Sequence, residues 1–107
     1  MVGECIIYET IITESYLYCK TWNERKFVDE IIAGGLLETI LKEDGCISYD
    51  YYYSVQNEDE ILLVEQWETE EQQKVHLKQP HMEQLRSIKE RYIVDMDIKK
   101  SLLADRG

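Results

Sequence analysis

The stretch Cys46–Glu68, CISYDYYYSVQNEDEILLVEQWE, decides the fold. In its first part Ile47, Tyr49, Tyr51, Tyr53 and Val55 alternate with polar or exposed positions, the pattern of a half-buried strand. QNEDE reads as a turn and ILLVEQWE as a second strand, so the two form a hairpin. Helical patterns flank it. Upstream, Thr21–Gly45 (TWNERKFVDEIIAGGLLETILKEDG) places Phe27, Ile31, Leu37 and Leu41 near one face, with Thr21 or Asn23 able to cap its start. Gly34 and Gly35 sit inside that pattern, where each costs about 1 kcal/mol relative to Ala. They point to a kink or a close backbone contact, and Gly45 is expected to end the helix as a left-handed cap.

Downstream, Thr69 and Gln72 make a capping box. Pro80 interrupts the helix that follows and can open a second segment, with Met82, Leu85, Ile88 and Tyr92 on one face. The outer segments, Glu4–Lys20 and Tyr92–Leu103, are rich in strand formers. Strand, helix, strand, strand, helix, strand predicts an α+β, ferredoxin-like βαββαβ fold. Its four-stranded antiparallel sheet carries helices on one face.

With 107 residues the chain is read as a single domain, 1–107, small enough that pairing with a second copy would add useful buried area. A formal net charge of −10 argues against nucleic acid and against an anionic membrane surface. The longest basic cluster, NERKF, is interrupted by Glu24. No apolar run reaches half a transmembrane length. Met1–Lys20 lacks a basic start and carries Glu4, Glu9 and Glu14, so it does not read as a signal peptide. Cys5, Cys19 and Cys46 are widely spaced without a CxxC, which suits free thiols in a reducing cytoplasm.

Chemistry gathers in Val64–Met82 (VEQWETEEQQKVHLKQPHM), which holds both histidines, one of the two tryptophans and the only proline. Glu65 shares a strand face with Leu63 and Trp67, a position where a carboxylate needs partners or water. On an unbroken helix His76 and His81 would lie about 140° apart. Pro80 between them lets both point inward. There is no HExxH, no His/Cys cluster and no i,i+3 His–carboxylate pair facing a third ligand, so no metal site is expected. Gly34 and Gly35 form no phosphate loop.

Three segments, EDGCISYDYYYS, LLVEQWETEEQQKVHLKQPHM and LRSIKERY, resemble the antibiotic biosynthesis monooxygenase (ABM) family. The shared pattern is a Gly-Cys leading into a strand, a Glu-x-Trp strand end, an acidic helix start and two histidines around a short break. The resemblance covers about Tyr16 to Leu103, and residues 1–10 exceed the usual family start as an N-terminal extension. It implies a homodimeric α+β barrel, with two sheets packed face to face and a pocket between sheet and helices. It also implies cofactor-free oxidation of a small electron-rich aromatic or quinol-type ligand by molecular oxygen. His76 or His81 would be the base, with Glu65 next. Trp67, Tyr49, Tyr51 and Met82 would line the pocket. Other relatives suggest a non-catalytic ligand-binding or stress-response barrel, a haem-degrading enzyme or an isomerase. The haem reading fits Trp67 and the histidines but lacks an asparagine in Met1–Trp22. An isomerase of phosphorylated molecules has only Lys20, Lys74 or Lys78 to offer.

Overall fold

Strands β2 (Cys46–Tyr53) and β3 (Glu60–Trp67) form the expected hairpin, paired from Tyr53 opposite Ile61 to Cys46 opposite Trp67. The structure, a computed structural model, describes residues 8–105. Central strand β1 (Tyr8–Cys19) pairs with β3 on one side and with β4 (Ile93–Asp105) on the other. All pairs are antiparallel and the sheet order is β2-β3-β1-β4. Helices α1 (Glu24–Ala33) and α2 (Leu36–Leu41) join β1 to β2, and α3 (Glu70–Leu77) and α4 (Met82–Tyr92) join β3 to β4. This is the ferredoxin-like α+β arrangement, with each of its two helices divided. Of the N-terminal extension, Tyr8–Thr10 are part of β1, and residues 1–7 lie outside the described residues. No helix is long and apolar enough, among the described residues, to cross a membrane.

Period-two burial explains how the sheet faces the helices. Ile61, Leu63, Glu65 and Trp67 of β3 point inward beside Ile11, Thr13, Ser15, Leu17 and Cys19 of β1. Against them pack Phe27, Val28 and Ile31 of α1, Leu36 and Ile40 of α2, and Met82, Leu85 and Ile88 of α4. The opposite sheet face carries Ile12, Tyr16, Leu62 and Val64, all partly exposed, and Tyr52, largely exposed. On β4, Met96, Ile98 and Leu102 pair with inward positions of β1, yet they are exposed because the helices stop short of that edge.

Several local expectations are corrected. The pattern over Thr21–Gly45 is two helices, because Gly35 takes a left-handed conformation at φ 72°. The break resets the phase: Leu36 and Ile40 are buried, while Leu41 is exposed. Asn23 precedes α1 without a side-chain cap bond and donates instead to the Thr21 carbonyl at 3.2 Å. Gly45 is left-handed at φ 85° but opens β2 rather than capping a helix, since α2 ends at Leu41. Its carbonyl accepts the Glu68 N–H at 2.8 Å. Ile47 leaves the inward face because a bulge shifts the register between Cys46 and Ser48. Val55 lies beyond β2 and is fully exposed, whereas Tyr49 faces the core and Tyr51 packs against it. Thr69 does cap α3, accepting the Gln72 N–H at 3.2 Å. The Gln72 side chain does not close the box; it meets the Thr69 hydroxyl and the Asp44 carboxylate. Pro80 sits in the turn before α4, whose N-cap is His81.

The two left-handed glycines predict a graded experiment. A Cβ at Gly35 meets open space, so Gly35→Ala costs only backbone strain, about 1 kcal/mol. A Cβ at Gly45 lands on the Gln72 side chain, so Gly45→Ala adds about 1–3 kcal/mol of overpacking to the same strain. Urea denaturation of the two variants checks the order; equal losses would show that Gln72 does not clamp this turn.

Candidate functional site

The turn between α2 and β2 is fixed by backbone bonds. The Glu43 N–H donates to the Ile40 carbonyl at 3.0 Å, and the Glu43 carbonyl accepts from Cys46 at 3.2 Å. Asp44 is held by the Gln72 amide at 3.3 Å, which ties the turn to the first turn of α3. The result projects the Glu43 carboxylate, only 11% exposed, towards both histidines.

His76, on the inward face of α3, is 1% exposed. Its Nδ1 lies 2.9 Å from Glu43 Oε2. His81, at the N-cap of α4 just past the Pro80 turn, brings Nε2 within 2.7 Å of the same oxygen. The helix break therefore does what the sequence required: it turns two residues that could not share a helical face onto one acceptor. An ionised carboxylate has only lone pairs to offer, so both imidazoles donate to it. A neutral His76 donating from Nδ1 keeps its free lone pair on Nε2. That nitrogen faces inward, 3.8 Å from Glu65 Oε1.

The inner side is aromatic and polar together. The Trp67 ring lies 4.5 Å from the His76 ring at a 33° tilt, and Tyr49 approaches the imidazole edge-on at 5.8 Å. Trp67 Nε1 donates to Glu65 Oε1 at 3.0 Å. Burial raises the pKa of Glu65, opposed by the Trp67 bond and by His76 and Lys89. Burial lowers that of Lys89, opposed by Glu65. Burial also raises Tyr49 and Tyr51, with Glu65 adding to both. Gln73 Nε2 donates to Thr13 Oγ1 at 2.7 Å. The Tyr51 hydroxyl and Gln73 Oε1 are buried without a hydrogen-bond partner among the described residues. Such orphaned groups are costly in a core and are what a bound polar ligand would satisfy. On the outer side, a cleft of about 250 Å³ lined by Glu43, Asp44, Gln72, Val75 and Gln79 opens onto the Glu43 carboxylate.

Of the residues singled out in the sequence, His76, His81, Glu65, Trp67 and Tyr49 are brought together, with Tyr51 beside Tyr49 at 5.8 Å. Met82 is buried next to His81, at the start of α4. Sequence reasoning missed Glu43, Gln73 and Lys89. Glu43 lies 33 residues from His76, and the only local signal is its place in EDG, beside the glycine that opens β2. Its carboxylate stands beside both histidines, a grouping that no local spacing shows. Glu43 Oε2, His76 Nδ1 and His81 Nε2 all lie within 4.8 Å of one another.

Comparison with known proteins places this geometry. The structure is similar to a conserved protein from Bacteroides thetaiotaomicron described as a possible oxidoreductase, with a TM-score of 0.77 and 26% identity over 90% of this chain and 99% of that one. It also resembles a conserved protein from Methanosarcina mazei, with a TM-score of 0.76 and 20% identity over 94% and 97% of the two chains. A candidate antibiotic biosynthesis monooxygenase from Deinococcus radiodurans gives 0.74 and 17% over 85% and 89%. These last two likenesses speak for the fold alone. Among curated proteins none matches the sequence. The profile described as antibiotic biosynthesis monooxygenase, ABM, matches residues 22–87. That span is well over half of the chain and takes in Glu43, Glu65, Trp67 and both histidines, so the chain belongs to the antibiotic biosynthesis monooxygenase family.

Proposed function

We propose that this chain oxidises a small electron-rich aromatic, quinol-type substrate with molecular oxygen, as a cytoplasmic homodimer and without a resident cofactor. The observation that carries this reading is His76. It is a buried imidazole, held at one nitrogen by Glu43, stacked on Trp67, with its other nitrogen turned into the polar interior. A base held in this way removes a phenolic proton. The resulting anion is electron-rich enough to reduce oxygen without help from a cofactor. The balance is simple: a hydroquinone plus O2 gives a hydroxyquinone plus water, with one oxygen atom in each product and all four electrons from the substrate. The protein's contribution is the base, its orientation and the exclusion of water.

The other groups take supporting roles. Glu43 fixes the tautomer of His76, as a carboxylate does for the base in a catalytic triad. Trp67 fixes the plane of the ring, and Tyr49 and Tyr51 form the adjoining aromatic wall. The unpartnered Tyr51 hydroxyl and Glu65 meet the substrate's oxygens. Met82 is the adaptable side chain by which the wall accommodates a ring. Cys19 and Cys46 fit a reducing compartment: they are free, and burial pushes each thiol up to about 11, which keeps them unreactive. A second copy of the chain is the partner. The helix-free sheet face, with Ile12, Tyr16, Tyr52, Leu62 and Val64, is an apolar surface that association would cover; Met96, Ile98 and Leu102 of β4 add a second exposed patch on the other face of the sheet.

Three measurements test this reading. Size-exclusion with light scattering should give a dimer, and Val64→Glu, on the uncovered face, should shift it to monomer; a wild-type monomer at micromolar concentration would remove the barrel. Oxygen uptake with a hydroquinone should fall on the order of a hundredfold or more in His76→Ala. Glu43→Gln should give an intermediate loss and His81→Ala the smallest; a larger loss in His81→Ala than in His76→Ala would move the base to His81. The third measurement uses the raised pKa of Glu65. Folding strengthens proton binding there, so its stabilising share is full below the unfolded glutamate value of about 4.3 and is lost as pH rises through the folded value. The stability of wild type minus that of Glu65→Gln should therefore decline as pH rises through this window. A flat or rising difference would mean that the carboxylate is held in its charged form.

A further inference from the structure

We propose that Glu43, His76 and His81 form a binding site for a divalent first-row transition cation of the zinc type. Glu43 Oε2, His76 Nδ1 and His81 Nε2 converge within 4.8 Å of one another. The two nitrogen–oxygen separations, 2.9 and 2.7 Å, need to open by only about half an ångström to reach the roughly 3.3 Å between neighbouring tetrahedral ligands bound at about 2.0–2.1 Å. A cation can therefore take the place of the shared protons with small side-chain rotations. Two imidazoles and a carboxylate suit zinc, cobalt, nickel or ferrous iron, and do not suit magnesium or calcium, which prefer oxygen throughout.

Four further observations point the same way. Glu65 Oε1 stands 3.8 Å from His76 Nε2, on the side from which an outer carboxylate could close in to take the second N–H of a metal-bound imidazole. A cleft of about 250 Å³ lies beside Glu43, with Asp44 and Gln72 also in its lining, so the Glu43 side of the site has an approach from solvent. The ligands are also held in place. His76 sits on α3, His81 at the start of α4, and Glu43 in a turn clamped by Gln72. A formal net charge of −10 favours the approach of any cation.

The consequence for activity rests on the function proposed above. As a base, His76 carries its proton on Nδ1 and keeps the Nε2 lone pair for the substrate. As a metal ligand it gives Nδ1 to the cation and carries the proton on Nε2, pointing at Glu65. One imidazole cannot hold both tautomers, so a bound cation switches the base off.

The test uses the full-length, tag-free chain. Titration with Co2+ should give visible ligand-field bands that saturate at one ion per chain, and Zn2+ should displace them. Glu43→Gln and His81→Ala should each weaken binding by about a hundredfold or more, since losing an outer-shell partner alone costs 10–100-fold. His81 is partly exposed, so His81→Ala keeps the fold, which circular dichroism checks. Absence of saturable binding, or binding indifferent to both substitutions, overturns the site and leaves only the acidic surface as the holder. In the activity arm, saturating Zn2+ should lower hydroquinone oxidation at least tenfold, with recovery on chelation. Unchanged or faster oxidation with the metal bound overturns the switch. Metal binding without any oxidation in the chelated protein removes the oxygenase reading and keeps the site. Oxidation without metal binding does the reverse.

Discussion

A buried imidazole sets the terms for much of this molecule. His76 lies at 1% exposure, where a ring nitrogen left without a partner costs about 1–3 kcal/mol. Glu43 removes that cost at Nδ1, but only if the α2–β2 turn arrives at one place. The turn depends on Gly35, which ends α1 early enough for a short α2 to deliver it, and on Gly45, whose lack of a Cβ lets Gln72 lie against it. Gln72 in turn belongs to the capped start of α3, the helix that carries His76. The chain of dependence closes on itself: the helix that buries the histidine also clamps the turn that satisfies it.

Much of this frame was legible in the sequence, because it rests on local rules. Alternation in ILLVEQWE gave the inward set Ile61, Leu63, Glu65 and Trp67 without exception. Thr69 capped as its type and position required, and Pro80 separated the histidines. Alternation failed in β2 at Ile47, where a bulge inserts a residue that no propensity announces. It failed too for Gly45, because a left-handed glycine looks the same in sequence whether it ends a helix or opens a strand. The candidate site was legible only on its aromatic side. Trp67, Tyr49 and His76 cluster because strand period and helix period both point them inward. Glu43 joins them through tertiary placement alone, 33 and 38 residues from its two partners.

Electrostatics separates the surface from the interior. Outside, acidic residues dominate and are solvated. Further in, burial shifts Glu65 and Lys89 each towards its neutral form, and the charge of each opposes the shift of the other. A pair balanced in this way adds little net stability, since desolvation offsets much of the attraction. Its carboxyl member, Glu65, stands 3.8 Å from the inner nitrogen of His76. A core built for stability alone would fill the same volume with apolar side chains at no electrostatic cost.

The two sides of His76 therefore differ in kind. Its inner nitrogen faces the buried Glu65 carboxyl, with the Trp67 and Tyr49 rings packed against the imidazole. Its outer nitrogen faces a carboxylate, a second imidazole and an open cleft, a set suited to a cation as well as to a proton. Because the ring carries a single proton when neutral, whatever occupies the outer side decides what the inner side can accept. Glu43 is the residue through which that choice is made, and its distance from the histidines in sequence does not weaken the coupling. Between the two sides lies one rigid aromatic ring, which transmits the choice without any movement of the fold.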